Sequence, residues 1–416
     1  MTPEINLKTR ELRANPYPTY ARLRKESPVV LYKHPIFGKT YYLTRYNDIV
    51  SSFTDPRLAN DRRNVLEGKK DPMDRWWVPK LFRILQNNML AKDVPDHRRL
   101  RDLVHKGFTP RRVEEMKQAV ERIVSELLDA AEKKPAVDLL ADFALPLPLT
   151  VISEMMGVPE EDRLTFHRQM GGLLDNLTTP AGFLLQTPNA FNMMRFFRKL
   201  IRLRQTEPRD DLLTALVQAE EQGDRLNEDE LISMIFLLLL AGHETTVNLI
   251  GNGTLALLQH PEQLQKLREH PELIGSAVEE LLRYGNPVDQ PSPRYAREEI
   301  QLEGHVIPKG ATVMCLLASA NRDESVFENA DTLDITRKPN RHVAFGMGVH
   351  YCLGAPLARL EGTIALQHLV RRFPDMKLAV PAEQLRWRGS IGLRGLKALP
   401  LLLSPSGAPA AMREAA

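Results

Sequence analysis

Cysteine is nearly absent: Cys315 and Cys352 are the only thiols in 416 residues. Two thiols cannot build a disulfide framework or a cysteine-rich metal cluster, and such sparse use fits a reducing compartment. A dominant charge is missing too. Lys and Arg number 56 against 53 Asp and Glu, a net charge of +3. That excess is too slight for a dedicated nucleic-acid binder. The N-terminus, MTPEINLKTRELRANPYP, has no apolar core of the kind a secretory signal needs. The greasiest run, LISMIFLLLLAG at 231–242, falls short of the roughly 20 apolar residues of a bilayer span. It leads into His243 and Glu244 and reads as a helix buried on most sides. The expectation is a cytoplasmic protein with no membrane anchor. No fixed-period repeat or low-complexity linker divides the chain. It reads as a single large domain over 1–416, with a small polar tail at 404–416 that frays.

What is present is mostly helical periodicity. Residues 21–27, 98–108, 111–133 and 211–222 place apolar side chains at helical spacing. A long helix is expected after Asn227-Glu228-Asp229-Glu230, where acidic residues suit the N-terminal dipole, running past Ala241 to about His260. Segments 261–270 and 271–285 follow as two more helices. Three stretches are β-prone. Residues 28–46 read as a hairpin broken at Pro35 and Gly38, 297–319 carry turn signals at Glu303-Gly304 and Pro308-Lys309-Gly310, and 396–404 close the series. Strands do not alternate regularly with helices, so a doubly wound α/β fold is not expected. The expected class is mainly α with small β-sheets, and a small β-rich lobe from the N-terminal hairpin and 297–319.

The densest signal is HVAFGMGVHYCLGAPLARLEGTIAL, 342–366. Phe345, Gly346, Gly348, His350, Cys352 and Gly354 stand at fixed offsets. Glycines around one cysteine allow a tight backbone path and close approach by something flat or bulky. A helix begins just beyond, with Pro356 in its first turn. A thiolate at a helix N-terminus is stabilised by the dipole and by free N–H groups. Cys315, in ATVMCLLAS, has no histidine or second cysteine at metal spacing and reads as a small buried hydrophobe.

Segment 342–366 resembles the haem-ligand loop of the cytochrome P450 family, Phe-Gly-x-Gly-x-His/Arg-x-Cys-x-Gly, at every fixed position. The resemblance implies the P450 fold, with haem b between the long helix and the cysteine loop, and Cys352 as the proximal iron ligand. Other stretches match in the family's order. Glu280 and Arg283 in VEELLRY resemble its buried Glu-x-x-Arg pair, with Arg337 as candidate third member. His97 and Arg101 in DVPDHRRLRDLV, Arg294 in QPSPRYA, and His350 resemble its propionate partners. The stretch AGHETTVNLIGNG, 241–253, resembles its oxygen-activating segment. Ala241 and Gly242 leave room for the cofactor. By the resemblance Thr245 hydrogen-bonds bound dioxygen and Glu244 relays protons to it. The likeness spans about Asn15 to Pro400. One departure is Asn329-Ala330, where bacterial members often carry proline, which puts local loop geometry in question.

The implied activity is a monooxygenase that places one oxygen atom of O2 on a hydrophobic small molecule, by hydroxylation or epoxidation. Two alternatives stay open: a peroxide-dependent haem-thiolate enzyme, and a non-catalytic haem-binding ligand sensor. No dinucleotide fingerprint is evident, so electrons are expected from a ferredoxin or flavodoxin with its reductase. Arg98, Arg99, Lys106, Arg111 and Arg112 form a candidate basic docking patch. The substrate pocket is expected from Trp76, Trp77, Val78, Leu90, Leu174, Phe183, Val288, Gln290 and Ile391, an apolar wall with few polar anchors.

Overall fold

The hairpin forms where the β-prone runs place it. Val29–His34 pairs antiparallel with Gly38–Leu43, in register Val29 to Leu43. Thr312–Cys315 adds parallel to the second strand, and Arg294–Ala296 antiparallel to Thr312–Cys315. Tyr20, Leu23, Val30, Tyr32, Tyr42, Met314, Leu316 and Ala318 make one apolar cluster over these strands. The turn signal Glu303-Gly304 also holds. Both residues have positive φ, 50° and 74°, joining the short strands Ile300–Leu302 and His305–Ile307. Pro400–Leu402 pairs with Lys377–Leu378 on one side and Val137–Asp138 on the other.

The computed structural model describes residues 9–34, 38–68, 71, 76, 83–84, 87–163, 187–221, 224–388 and 392–403. It divides into two compact units. One comprises Met1–Arg57, Lys117–Pro148 and Glu244–Ala416; the other comprises Leu58–Met116 and Leu149–His243. The sheets above belong to the first unit. The expected tail 404–416 lies outside the described residues.

The long helix runs unbroken from Glu228 to Gln259. Its start is capped reciprocally: Asn227 Oδ1 accepts the Glu230 N–H at 2.9 Å, and Glu230 Oε2 accepts the Asn227 N–H at 3.0 Å. The apolar character extends further than 231–242, and by length and hydropathy this helix could cross a bilayer. Yet 67% of its most apolar window is buried inside the protein, the mark of a core helix. The expected helix 271–285 is split into a 3-10 turn, Pro271–Leu273, and the α-helix Ile274–Gly285. Asn286 closes the α-helix at φ 39°, a left-handed stop that asparagine tolerates. The helix after the cysteine runs Ala355–Arg372. It approaches the long helix at Gly362, where a Cβ would lie 2.7 Å from Leu249 Cδ2.

In the second unit Asp96–Gly107, Thr187–Thr206 and Leu212–Gln218 are helical. A buried ion pair joins the last two, Arg204 Nε to Asp211 Oδ2 at 2.5 Å.

Glu361 is a buried acid that the sequence pattern does not announce. It is 1% exposed, and its Oε2 finds no hydrogen-bond partner among the described residues. Burial pushes its carboxyl from 4.5 up to about 8. Between those values the folded protein keeps a proton that the unfolded chain releases, so stability falls as pH rises. At pH 7 the cost is of order 3 kcal/mol. Glu361→Gln should therefore gain on the wild type progressively as pH rises from about 4.5 to about 8. Urea unfolding of both proteins across that window checks this. A difference independent of pH would mean that Glu361 ionises as freely folded as unfolded.

Candidate functional site

The two cysteines have opposite environments. Cys315 is buried on its strand, its sulfur 3.2 Å from Ser52 Oγ. Burial pushes that thiol up, so it stays protonated. Cys352 is exposed, just before the helix Ala355–Arg372, with Gly354 as N-cap and Pro356 in the first turn. Its N–H donates to the Phe345 carbonyl at 3.0 Å, closing the loop. Gly346 and Gly348 have φ of 66° and 70°, a region costly for side chains with a Cβ. A Cβ at Gly348 would also lie 3.1 Å from the Phe53 carbonyl oxygen. His350 ends the short 3-10 turn Gly348–His350 and is half-buried.

Phe53 brings a distant residue to this loop. The Phe53 ring edge lies beside Gly346 and its carbonyl beside Gly348, and the Arg294 guanidinium stacks on its ring, 4.9 Å from the centroid. Arg294 thus shares a neighbour with the cysteine loop despite its distance in sequence. Arg294 is buried on its strand.

Glu280 and Arg283 are both fully buried. Arg283 places all five N–H donors. Nε and Nη2 reach Glu280 at 2.8 Å each, Nη1 the Asn321 and Ala330 carbonyls at 2.8 and 2.7 Å, and Nη2 also the Thr332 carbonyl at 3.0 Å. Arg337 Nε donates to both Glu280 oxygens at 3.2 and 3.1 Å. The loop that departs from the bacterial proline pattern supplies part of this network. Asn329 has φ 47°, and its carbonyl accepts from Arg337 Nη2 at 3.2 Å.

On the long helix, Leu231–Ile250 is buried apart from Leu237, Leu240, Ala241, Gly242, Glu244 and Thr245. Positions 237, 240, 241, 244 and 245 recur at helical spacing, so one stripe of a core helix is left open. Glu244 and Thr245 lie together on it. Arg388 stands 3.6 Å from Glu244 Oε1 and is fixed by donating Nε to the Leu396 carbonyl at 3.0 Å. Sequence reasoning missed Arg388 and Phe53, whose contacts join residues far apart in the chain.

His97 and Arg101 share a face of Asp96–Gly107. His97 is buried and Arg101 half-buried. Burial, and after it the Arg101 cation, push the His97 imidazole down, so it stands neutral near pH 7.

The pocket candidates fare unevenly. Trp77, Val78, Leu174, Phe183 and Ile391 lie outside the described residues. Trp76 is 91% exposed, so it packs in no apolar wall among the described residues. Leu90 is exposed as well. Val288 bridges to Leu393, and the Gln290 amide oxygen accepts from the Tyr42 hydroxyl at 3.2 Å. The expected basic patch is largely neutralised. Arg98 pairs with Asp102, Arg99 with Glu230, Arg111 with Glu115 and Arg112 with Asp210. Nothing is described of the Lys106 side chain.

The cytochrome P450 family profile matches residues 37–378. The polyketide biosynthesis cytochrome P450 PksS of Bacillus subtilis strain 168 is 46% identical over 399 residues, covering 95% of this chain and 97% of that one. Its solved structure superposes with a TM-score of 0.89, at 43% identity, over 96% of this chain and all of the other. The vitamin D(3) 25-hydroxylase of Pseudonocardia autotrophica is 43% identical over 398 residues, 95% of each chain. P450BioI, solved with an acyl carrier protein ligated to hexadec-9Z-enoic acid, gives a TM-score of 0.86 at 39% identity, over 95% of this chain and 99% of that one. With that coverage and this fold, the chain belongs to the cytochrome P450 family and is an oxidoreductase whose cofactor is haem b.

Proposed function

We propose that the protein is a haem-thiolate monooxygenase that inserts one oxygen atom of O2 into a hydrophobic small molecule, in the cytoplasm, with electrons from a separate ferredoxin or flavodoxin system. The observation that carries this is the contrast between the two thiols: Cys315 is sealed and protonated, and Cys352 is open at a glycine-lined helix N-terminus. A soft thiolate there, supported by backbone N–H groups, fits the donor set that haem iron takes in this family.

Cys352 would hold the iron. Arg294, His350, His97 and Arg101 would meet the two propionates, which need cations or donors when partly buried. Neutral His97 suits this as a hydrogen-bond donor. Ala241 and Gly242 present little side chain on the open stripe, which leaves room for a flat macrocycle. Haem supplies the O2 chemistry, and the protein supplies ligation, positioning and proton access. Proton access falls to Glu244 and Thr245. The Thr245 hydroxyl donates and accepts, and the Glu244 carboxylate, held by Arg388, can carry a proton toward it. Glu280, Arg283 and Arg337 brace the segment that leads into the cysteine loop. The peroxide-dependent alternative does not need this Glu-Thr pair, so its placement on the open stripe favours the O2 route. Relatives named for vitamin D(3) hydroxylation and crystallised with a fatty acyl carrier protein support an apolar substrate.

The test is an absorption spectrum of the dithionite-reduced protein under carbon monoxide, followed by turnover. A far-red Soret band reports haem with thiolate ligation; its absence from haem-loaded protein would sink the assignment. With a substrate found by spin-state shift, Thr245→Ala should drain reducing equivalents into peroxide at unchanged O2 uptake. Tightly coupled turnover in that variant would remove Thr245 from proton delivery.

A further inference from the structure

A second charged network lies beside the first and points the other way. Glu279 is adjacent to Glu280 on the helix Ile274–Gly285, but it meets different partners. Arg359, on the helix after the cysteine, grips it with two donors: Nε to Oε1 at 2.6 Å and Nη2 to Oε2 at 2.9 Å. His342 Nε2 lies 3.0 Å from the same Oε2. His342 Nδ1 accepts the Ala344 N–H at 3.2 Å, so the ring proton is assigned to Nε2, which donates to Glu279. Burial pushes the Glu279 carboxyl up, but the hydrogen bonds from His342 and Arg359 outweigh it and hold it at about 2. Glu279 is therefore a fixed anion.

The free side of Arg359 faces the cysteine loop. Its guanidinium sits over the Phe345 ring, 4.5 Å from the centroid, and Nη1 donates to the Tyr351 hydroxyl at 3.2 Å. Phe345 in turn accepts the Cys352 N–H, and Tyr351 precedes Cys352 directly. The contacts therefore touch the loop at its entry (His342, Ala344), at Phe345, and at the residue before the cysteine.

We infer that Glu279, His342 and Arg359 form a clamp that fixes Phe345 and Tyr351 around Cys352 and thereby sets the environment of its sulfur. The inference rests on Cys352 being the thiolate ligand. Arg359 acts as a positioning residue, and its shape matters as well as its charge. A planar fork can grip a carboxylate with two donors while stacking on a ring and reaching a phenol. A lysine ammonium cannot do all three. Partners of this kind tune a metal ligand through hydrogen bonding and orientation.

The experiment compares haem-loaded wild type with Arg359→Lys, Arg359→Leu and Glu279→Gln. Two quantities are read: the haem reduction potential, and the rate at which the far-red ferrous–CO band decays to the shorter-wavelength form. Arg372→Leu is the control, since Arg372 ends the same helix and pairs with Asp129 and Glu132. Decay should quicken roughly tenfold in Arg359→Leu, with a shifted potential. Arg359→Lys should behave like Arg359→Leu despite its charge, and Glu279→Gln should move both quantities the same way. Arg372→Leu should leave both at wild-type values whatever melting temperature it loses. Wild-type potential and decay in all three clamp variants would overturn the clamp, as would equal shifts in Arg372→Leu. A wild type that lacks the far-red band would instead remove the thiolate reading, and the clamp with it.

Discussion

Cys352→Ser should abolish the far-red ferrous–CO band and reduce turnover to background, while the protein stays folded. The side chains are nearly isosteric. The loop is closed by the backbone of residue 352, whose N–H reaches the Phe345 carbonyl at 3.0 Å, and serine keeps that bond. What is lost is the thiolate. A serine hydroxyl stays protonated at neutral pH, so it offers iron a weak neutral donor in place of an electron-rich sulfur. Far-UV circular dichroism should therefore match the wild type as the spectrum and activity disappear. Cys315→Ser is the counterpart. It buries a hydroxyl in a thiol's place, at a cost of about 1–3 kcal/mol, and should keep the band. Full turnover by Cys352→Ser, or loss of the band in Cys315→Ser, would overturn the assignment of the ligand.

Much of the local geometry was legible because it sits at short fixed spacings. The cysteine loop needs its glycines within a few residues of Cys352, and Glu280 and Arg283 need helical spacing to pair. Glu244 and Thr245 are adjacent, so an ideal helix turns them apart, and both are half-buried on the open stripe. The partners that arrive from elsewhere left no trace. Arg388 reaches Glu244 from the C-terminal segment, and Phe53 stands between Arg294 and the loop. Neither has a sequence interval that marks it. The acids that offset the candidate docking patch were legible only in part, for a related reason. Asp102 and Glu115 stand four residues from Arg98 and Arg111, a visible spacing. The acids that neutralise Arg99 and Arg112 come from Glu230 and Asp210, and only the folded chain brings them near.

The fold was legible wherever a period was sustained. The long helix runs 32 residues, about nine turns, and its end near His260 could be read. It starts at Glu228, inside the acidic run after which it was expected, because the reciprocal Asn227–Glu230 cap sets its first turn. The hairpin at 29–43 shows in its β-branched and aromatic residues. Boundaries were less clear where a proline or a short strand intervened. Pro271 starts a 3-10 turn ahead of Ile274–Gly285, and the expected helix 211–222 ends at Gln218, before a two-residue strand at Glu220–Glu221. Packing against distant segments decides such ends, and local pattern does not carry it.

Glu280→Gln should be among the most damaging single-atom changes in the chain, costing about 3–5 kcal/mol. The variant keeps shape and volume, so the loss is electrostatic. Glu280 accepts from Arg283, Arg337, the Asp334 N–H and the Asn340 amide. Two guanidiniums, those of Arg283 and Arg337, converge on this one buried carboxylate. An amide in its place removes the negative charge and turns an N–H toward groups that only donate. Arg283, with a fully buried side chain, is then a desolvated cation without a counter-charge. Against a domain stability of about 5–15 kcal/mol, this is a large share. The segment held by the network runs directly into His342 and the cysteine loop, so haem content should fall together with melting temperature. Glu126→Gln gives the scale. Its pair with Arg122 is exposed on both sides, 49% and 61%, and its removal should cost no more than about 0.5 kcal/mol. Urea unfolding of the three proteins, with haem quantified per chain, compares the two sites. Equal small losses would mean that the buried network does not depend on its charge. A large loss at Glu280 with haem content unchanged would mean that the network holds the core without holding the loop.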